Sequence, residues 1–218
     1  MQTTHVKSMA AILAGKAPLI AVLLVNNADH SEPMLEALEG AGIAAIEVTL
    51  RTPAALKAIE RMSRAAKRAT IGAGTLTRPE QLKQVRDAGA QFAVSPALTP
   101  AMAEAAHASG LAYLPGVATP SEALRAREFG FFELKFFPAD LMGGPAWLRH
   151  VAQLCPDLQF CPTGGVCDDN VRSYLKMENV FAAGGLYLAP RDLIEREQWS
   201  ELRRHAARCV AVAVFEAD

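Results

Sequence analysis

No charge of either sign dominates this sequence. Its 22 Lys and Arg stand against 23 Asp and Glu, a formal net charge of -1. That leaves no global basic bias to attract nucleic acid and no acidic tail. Aromatic residues make up only 6%, with 2 Trp, too few for a broad stacking platform for single strands. Long apolar runs are missing as well. The longest, residues 18–25, falls far below the roughly 20 residues of a membrane span. Residues 9–14 are too short for a secretory h-region and are closed by Lys16. Cysteine is sparse: Cys155, Cys161, Cys167 and Cys209 form no CxxC pair, and zinc sites favour tighter spacings. The five histidines are scattered, without HxxxH or HExxH, so neither a metal nor a redox centre is expected. The expectation is a soluble cytoplasmic protein with no membrane and no nucleic-acid partner.

What is present is apolar residue, at 51% of 218, enough for one substantial core and a single domain spanning residues 1–218. Short apolar runs alternate with helical patterns throughout. The runs cover residues 18–25, 43–50, 70–73, 91–95, 111–115, 133–137, 158–161 and 180–183, giving eight strand candidates. Between them, Leu56, Ile59 and Met62 form one helical face, and Leu82 and Val85 begin another. Thr52-Pro53, Thr99-Pro100 and Thr119-Pro120 each place a capping hydroxyl before a proline suited to a first helical turn. Thr77 with Glu80, and Thr119 with Glu122, fit the capping box. Gly40, Gly89 and Gly110 sit where helices should stop. Residues 6–13 read as a short helix before the first strand, and residues 198–215 as a closing helix. Eight strands alternating with helices imply parallel pairing. An open doubly wound sheet and a closed (β/α)₈ barrel both accommodate that number, and the barrel removes both sheet edges.

In a barrel, chemistry belongs at the C-terminal strand ends. The second strand candidate reads Ala45-Ile46-Glu47-Val48-Thr49-Leu50-Arg51. Its alternation puts Glu47, Thr49 and Arg51 on one face, facing inward if the apolar face meets the helices. Of the seven lysines, only Lys135 stands in the middle of an apolar strand. Burying an ammonium is costly unless it is paired or neutralised, and a neutral buried amine is a nucleophile. Lys135 therefore reads as a structural ion-pair partner of Glu47 or Glu133, as a lysine snorkelling outward, or as a Schiff-base lysine. The seventh and eighth runs lead into Thr163-Gly164-Gly165 and Ala183-Gly184-Gly185. Glycines there serve as tight turns or bring backbone N–H groups close to a phosphate. The third leads into Gly72-Ala73-Gly74-Thr75, with one hydroxyl. An amine, a carboxylate, an arginine and a glycine-lined cradle suit carbonyl chemistry on a small anionic substrate.

These residues resemble a known family. The segments Ile46-Glu47-Val48-Thr49-Leu50-Arg51-Thr52, Ile71-Gly72-Ala73-Gly74-Thr75, Ser95-Pro96, Pro115-Gly116, Glu133-Leu134-Lys135-Phe136-Phe137-Pro138-Ala139 and Cys161-Pro162-Thr163-Gly164-Gly165 are similar, in order, to the class I 2-keto-3-deoxy-6-phosphogluconate (KDPG) aldolases. That family includes the 4-hydroxy-2-oxoglutarate (KHG) aldolases. The resemblance covers most of the chain. It implies a (β/α)₈ TIM barrel with an extra N-terminal helix, assembled as a homotrimer, acting on a small keto acid without cofactor or metal. It implies Lys135 as the Schiff-base lysine and Glu47 as acid/base through a water. Arg51, Thr75 and the Pro96 backbone would hold the carboxylate end, Thr163 the hydroxyls, and Phe137 a wall. Gly164, Gly165, Gly184 and Gly185 would line the phosphate. The reaction implied is reversible cleavage to pyruvate and glyceraldehyde 3-phosphate.

Three positions depart from the family. Leu186 stands where a phosphate-binding serine is common. Ala97 replaces a common glycine, and Asn26-Asn27 replaces charged residues at the end of the first strand. The departure at Leu186 keeps open the alternative of a non-phosphorylated 2-keto-4-hydroxy acid substrate. Two further readings are a pyridoxal-phosphate barrel, which a bound chromophore would reveal, and a non-catalytic phosphate-binding barrel. The inward phase of both Glu47 and Lys135 opposes the last.

Overall fold

The computed structural model describes residues 7–214. In chain order the elements are α1 (Met9–Leu13), β1 (Leu19–Leu23), α2 (Ser31–Gly40), β2 (Ala45–Thr49), α3 (Ala55–Ala65), β3 (Thr70–Gly74) and α4 (Glu80–Asp87). Then come β4 (Phe92–Val94), α5 (Pro100–Ser109), β5 (Ala112–Leu114), β6 (Gly116–Val117), α6 (Pro120–Glu128), β7 (Glu133–Phe136) and α7 (Gly144–Leu154). The last are β8 (Gln159–Pro162), α8 (Val171–Leu175), β9 (Ala183–Gly185), α9 (Arg191–Glu195) and α10 (Trp199–Val214). Short 3-10 turns occupy Ala28–His30 and Leu186–Leu188.

Among the described residues all pairing between strands is parallel. Six strands run in the order β5-β4-β3-β2-β1-β9, and three in the order β6-β7-β8. The fifth expected strand is therefore two. Pro115, which has no N–H to donate, separates β5 from β6. Its carbonyl accepts from Lys135 N at 2.8 Å, so the chain passes from one sheet into the other at this residue. At the opposite margin an isolated bridge pairs Thr163 with Gly184.

Strand alternation sorts the side chains. Ile46, Val48, Ala93 and Leu134 face the helices in the main core, while Ile20, Ala45, Phe92, Val94, Ala112, Leu114 and Cys161 form a second cluster on the other face. α1 packs into this second cluster through Met9 and Leu13. Each fully buried large apolar side chain contributes about 1.5–3 kcal/mol.

Several local expectations hold. Thr99 caps α5 and Thr119 forms the full capping box of α6, each followed by proline. Gly89 and Gly110 turn left-handed after their helices. Others differ. Thr52 does not cap: its hydroxyl donates to Val25 O at 2.5 Å, tying the turn after β2 to the end of β1, and α3 starts later from Ala54. Thr77 does not form a box with Glu80. The Gln81 side chain accepts from Thr77 N and Arg78 N instead, and α4 starts after Pro79. Gly40 is the last residue of α2, and the left-handed turn falls at Gly42. The last strand lies later than expected, at the glycines, because Val180 bridges to Phe160 before β9 begins. Of the two terminal helices, Val6 and Phe215 lie outside the described residues. Among the described residues, no helix is long and apolar enough to cross a membrane.

Candidate active site

Glu47 on β2 and Lys135 on β7 meet. Lys135 Nζ donates to Glu47 Oε1 at 3.4 Å, with side-chain exposures of 8% and 3%. The two residues belong to different sheets, so the pair links the six-stranded sheet to the three-stranded one. Glu133, the other acid considered for Lys135, lies two residues back and does different work. Its carboxylate accepts from Met9 N and Ser8 Oγ, each at 2.5 Å, and thereby holds the start of α1. An acid at a helix N-terminus is favourable both through these bonds and through the helix dipole.

The surroundings of the pair are closed on most sides. Cys161 is the register partner of Lys135 on β8, and burial pushes its thiol up to about 12, so it stays neutral. Lys135 Nζ lies over the Phe137 ring, 5.2 Å from its centre. Thr163 is buried, with its hydroxyl 4.0 Å from the Cys161 sulfur. Thr49, also buried, donates to Leu23 O at 2.8 Å and so has a backbone role in joining β2 to β1. Gly74 on β3 leaves the space that the Glu47 carboxylate fills; a Cβ there would overlap it. Thr75 follows with φ +61, a left-handed conformation costly for a β-branched residue and found where surrounding structure imposes it.

Pro96 joins the site through its backbone. Its carbonyl packs directly on Gly116, and Gly116 is the register partner of Lys135. Gly164 and Gly165 both take positive φ, +90 and +82. Gly164 packs against Phe137, and Gly184 against Thr163. The structure thus gathers Glu47, Lys135, Phe137, Thr163, Gly164 and Gly184 through direct contacts, and sets Pro96 against the strand beside Lys135. Arg51 is placed differently. β2 ends at Thr49, so the strand alternation that would align Arg51 with Glu47 stops, and its side chain is exposed on the following turn. Gly185 packs against Tyr187, and Leu186 is 51% exposed. Cys161 is the neighbour the sequence reading did not assign to the site; its inward phase beside Lys135 becomes visible only with the β7–β8 register. Among the described residues, no three His, Cys, Asp or Glu side chains cluster as metal ligands.

A family model described as "KDPG and KHG aldolase" matches residues 11–205. The chain belongs to the KDPG and KHG aldolase family. Among its relatives in this family is the 2-dehydro-3-deoxy-phosphogluconate aldolase of Pseudoalteromonas atlantica, 40% identical over 91% of this chain and 92% of that protein. Another is the KHG/KDPG aldolase of Escherichia coli K12, 37% identical over 94% and 96%. The solved KDPG aldolase of Legionella pneumophila, with pyruvate captured as a covalent carbinolamine intermediate, superposes with a TM-score of 0.89. It is 37% identical, covering 95% of this chain and 98% of that one. The chain is a class I aldolase, a carbon–carbon lyase.

Proposed function

We propose that the protein cleaves 2-keto-3-deoxy-6-phosphogluconate reversibly to pyruvate and glyceraldehyde 3-phosphate through a Schiff base on Lys135. The observation that carries this is the buried amine of Lys135 within 3.4 Å of a buried carboxylate. The relatives named for KDPG cleavage support it, as does the pyruvate carbinolamine of the Legionella enzyme.

The chemistry runs as follows. The Lys135 amine adds to the substrate ketone, and loss of water from the carbinolamine gives an iminium. Glu47, through a water, takes the proton of the C4 hydroxyl. The C3–C4 bond breaks, its electron pair passes into the iminium as an enamine, and the aldehyde leaves. Protonation of the enamine carbon and hydrolysis release pyruvate and restore the amine. In this reading Arg51, Thr75 and the Pro96 backbone hold the carboxylate end, with the exposed Arg51 swinging in over bound substrate. Thr163 faces the substrate hydroxyls and Phe137 walls the pocket. Gly164, Gly165, Gly184 and Gly185 present backbone to the phosphate.

We further propose that the two sheets are the halves of one closed (β/α)₈ barrel, residues 1–218 forming one catalytic domain with α1 as the family's extra N-terminal helix. The proposed homotrimer would cover some of the exposed Phe132, Leu141 and Leu154. A cytoplasmic setting suits four unpaired cysteines. Leu186 favours a second reading. An exposed leucine at the phosphate end offers no hydroxyl, so plain 2-keto-4-hydroxy acids such as 4-hydroxy-2-oxoglutarate are the alternative substrates. Equal or better turnover of the plain acid would reject phosphate specificity.

The first experiment is borohydride reduction in the presence of pyruvate, followed by peptide mass spectrometry. A reduced pyruvyl adduct on Lys135 is expected. Lys135→Ala should lose turnover with its far-UV circular dichroism unchanged; full activity in that variant would refute the mechanism.

A further inference from the structure

A hydrogen-bond chain runs behind the site, on the helix-facing side of the sheet. Ser95, at the end of β4, is buried, and so is Tyr113 on β5. Ser95 Oγ donates to Ala97 O at 2.7 Å and lies 2.6 Å from Tyr113 OH. A serine hydroxyl has one proton. The Ala97 carbonyl can only accept, so that proton is committed to it, and Ser95 must accept from Tyr113. Both hydroxyls are satisfied only with the chain running Tyr113 to Ser95 to Ala97. Burial pushes Tyr113 up to about 12, so it remains a donor across the neutral range. Its ring is held in place by an edge contact with Phe131, 5.4 Å between centres, and Phe131 in turn stacks on His107.

The two bonds flank Pro96. With Ser95 anchored and the Ala97 carbonyl tied back to it, the peptide groups on either side of Pro96 lose their freedom to rotate. The Pro96 carbonyl is then pressed onto Gly116, the register partner of Lys135. Ala97 lacks the conformational freedom of glycine, and the tether suits a loop that is held rather than flexible.

We propose that Tyr113, acting through Ser95, is a positioning residue for the keto-acid end of the site: it fixes the Pro96–Ala97 backbone beside Lys135. This rests on the aldolase reading above, in which that backbone meets the substrate carboxylate. Tyr113 itself touches no substrate.

The test titrates pyruvate against borohydride trapping on Lys135 in wild type, Tyr113→Phe, Ser95→Ala and the double variant. Tyr113→Phe keeps the ring on Phe131 and removes only the donor. It should raise the half-saturating pyruvate concentration roughly three- to tenfold, the worth of one neutral hydrogen bond. Trapping at saturation should be little changed. Ser95→Ala should raise it by at least as much. Because Tyr113 works only through Ser95, the double variant should be no worse than Ser95→Ala alone. Multiplying effects would overturn the proposal. So would a Tyr113→Phe protein with a lowered melting temperature and unaltered half-saturation, since the tyrosine would then be packing only. A wild type that traps no pyruvate would overturn the aldolase reading and this inference with it; trapping by wild type with multiplying effects would overturn the inference alone.

Discussion

Gly74 and Glu47 occupy one volume between them. β2 and β3 pair with Thr49 opposite Gly74, and the Glu47 carboxylate fills the place where a Cβ at 74 would lie. Gly74→Ala must therefore displace the carboxylate from the amine it faces. The expected result is a fall in kcat/KM on the order of a hundredfold, the scale set by an ångström of misplacement. Stability should fall by only about 1–3 kcal/mol, the usual cost of overpacking. Steady-state kinetics beside a thermal melt separate the two, and a Gly74→Ala enzyme of full activity would remove Glu47 from proton transfer. At this scale the sequence was most legible where a residue type contradicted its surroundings. A lysine inside Glu133-Leu134-Lys135-Phe136-Phe137 and a glutamate in phase on an apolar strand both stand out. The local backbone of Arg51 was less legible: it follows the end of β2 on an exposed turn, and alternation carries no signal of its own termination.

Elements were legible by the same rule: existence clear, ends less so. All eight apolar runs contain or overlap strands, because parallel strands with both faces covered read as continuous apolar segments. Thr119, with both a following proline and Glu122 three residues on, capped as the pattern implies, whereas Thr52, with the proline alone, and Thr77, with the acid alone, did not. Thr99 capped on the proline alone, so one signal does not decide the outcome; Thr52 was diverted by a carbonyl 27 residues away. Glu39 is a further tertiary choice of this kind. It lies buried near the end of α2, and its Oε1 accepts from Lys67 N, Arg68 N and Ala69 N, joining α2 to the start of β3. Burial pushes its carboxyl upward, but the three backbone donors outweigh this and hold it below the ordinary 4.5. A depressed carboxyl contributes stability above its unfolded value and loses it as pH falls through the folded one. Glu39→Gln should therefore cost about 1.5–3 kcal/mol at neutral pH, the range for hydrogen bonds to a charged group. Urea midpoints of variant and wild type should converge as pH drops below 4.5. A gap that does not narrow would mean the side chain acts by shape alone.

For the whole molecule, the site lies where two sheets come together. Glu47 belongs to the six-stranded sheet and Lys135 to the three-stranded one. The chain crosses between them at Pro115, whose carbonyl accepts from Lys135 N, and the Thr163–Gly184 bridge joins them at the other margin. Reaction geometry therefore depends on the integrity of both sheets, and neutral buried groups on them and on the helices packed against them tie that integrity to pH. Burial pushes Cys161 and Tyr113 up to about 12, and burial together with the neighbouring Asp168 does the same for Cys209. In the unfolded chain these groups ionise near 9 for the thiols and 10 for the phenol. A raised folded value means their stabilising contribution is complete below the unfolded values and is lost as pH rises toward 12. The urea midpoint should thus fall steadily from pH 9 upward. Cys161→Ala removes one of these ionisations at the cost of a small cavity, so it should start less stable at pH 8 and decline less steeply. Parallel declines in the two proteins would show that Cys161 ionises as readily folded as unfolded, and that its place beside Lys135 is open to water.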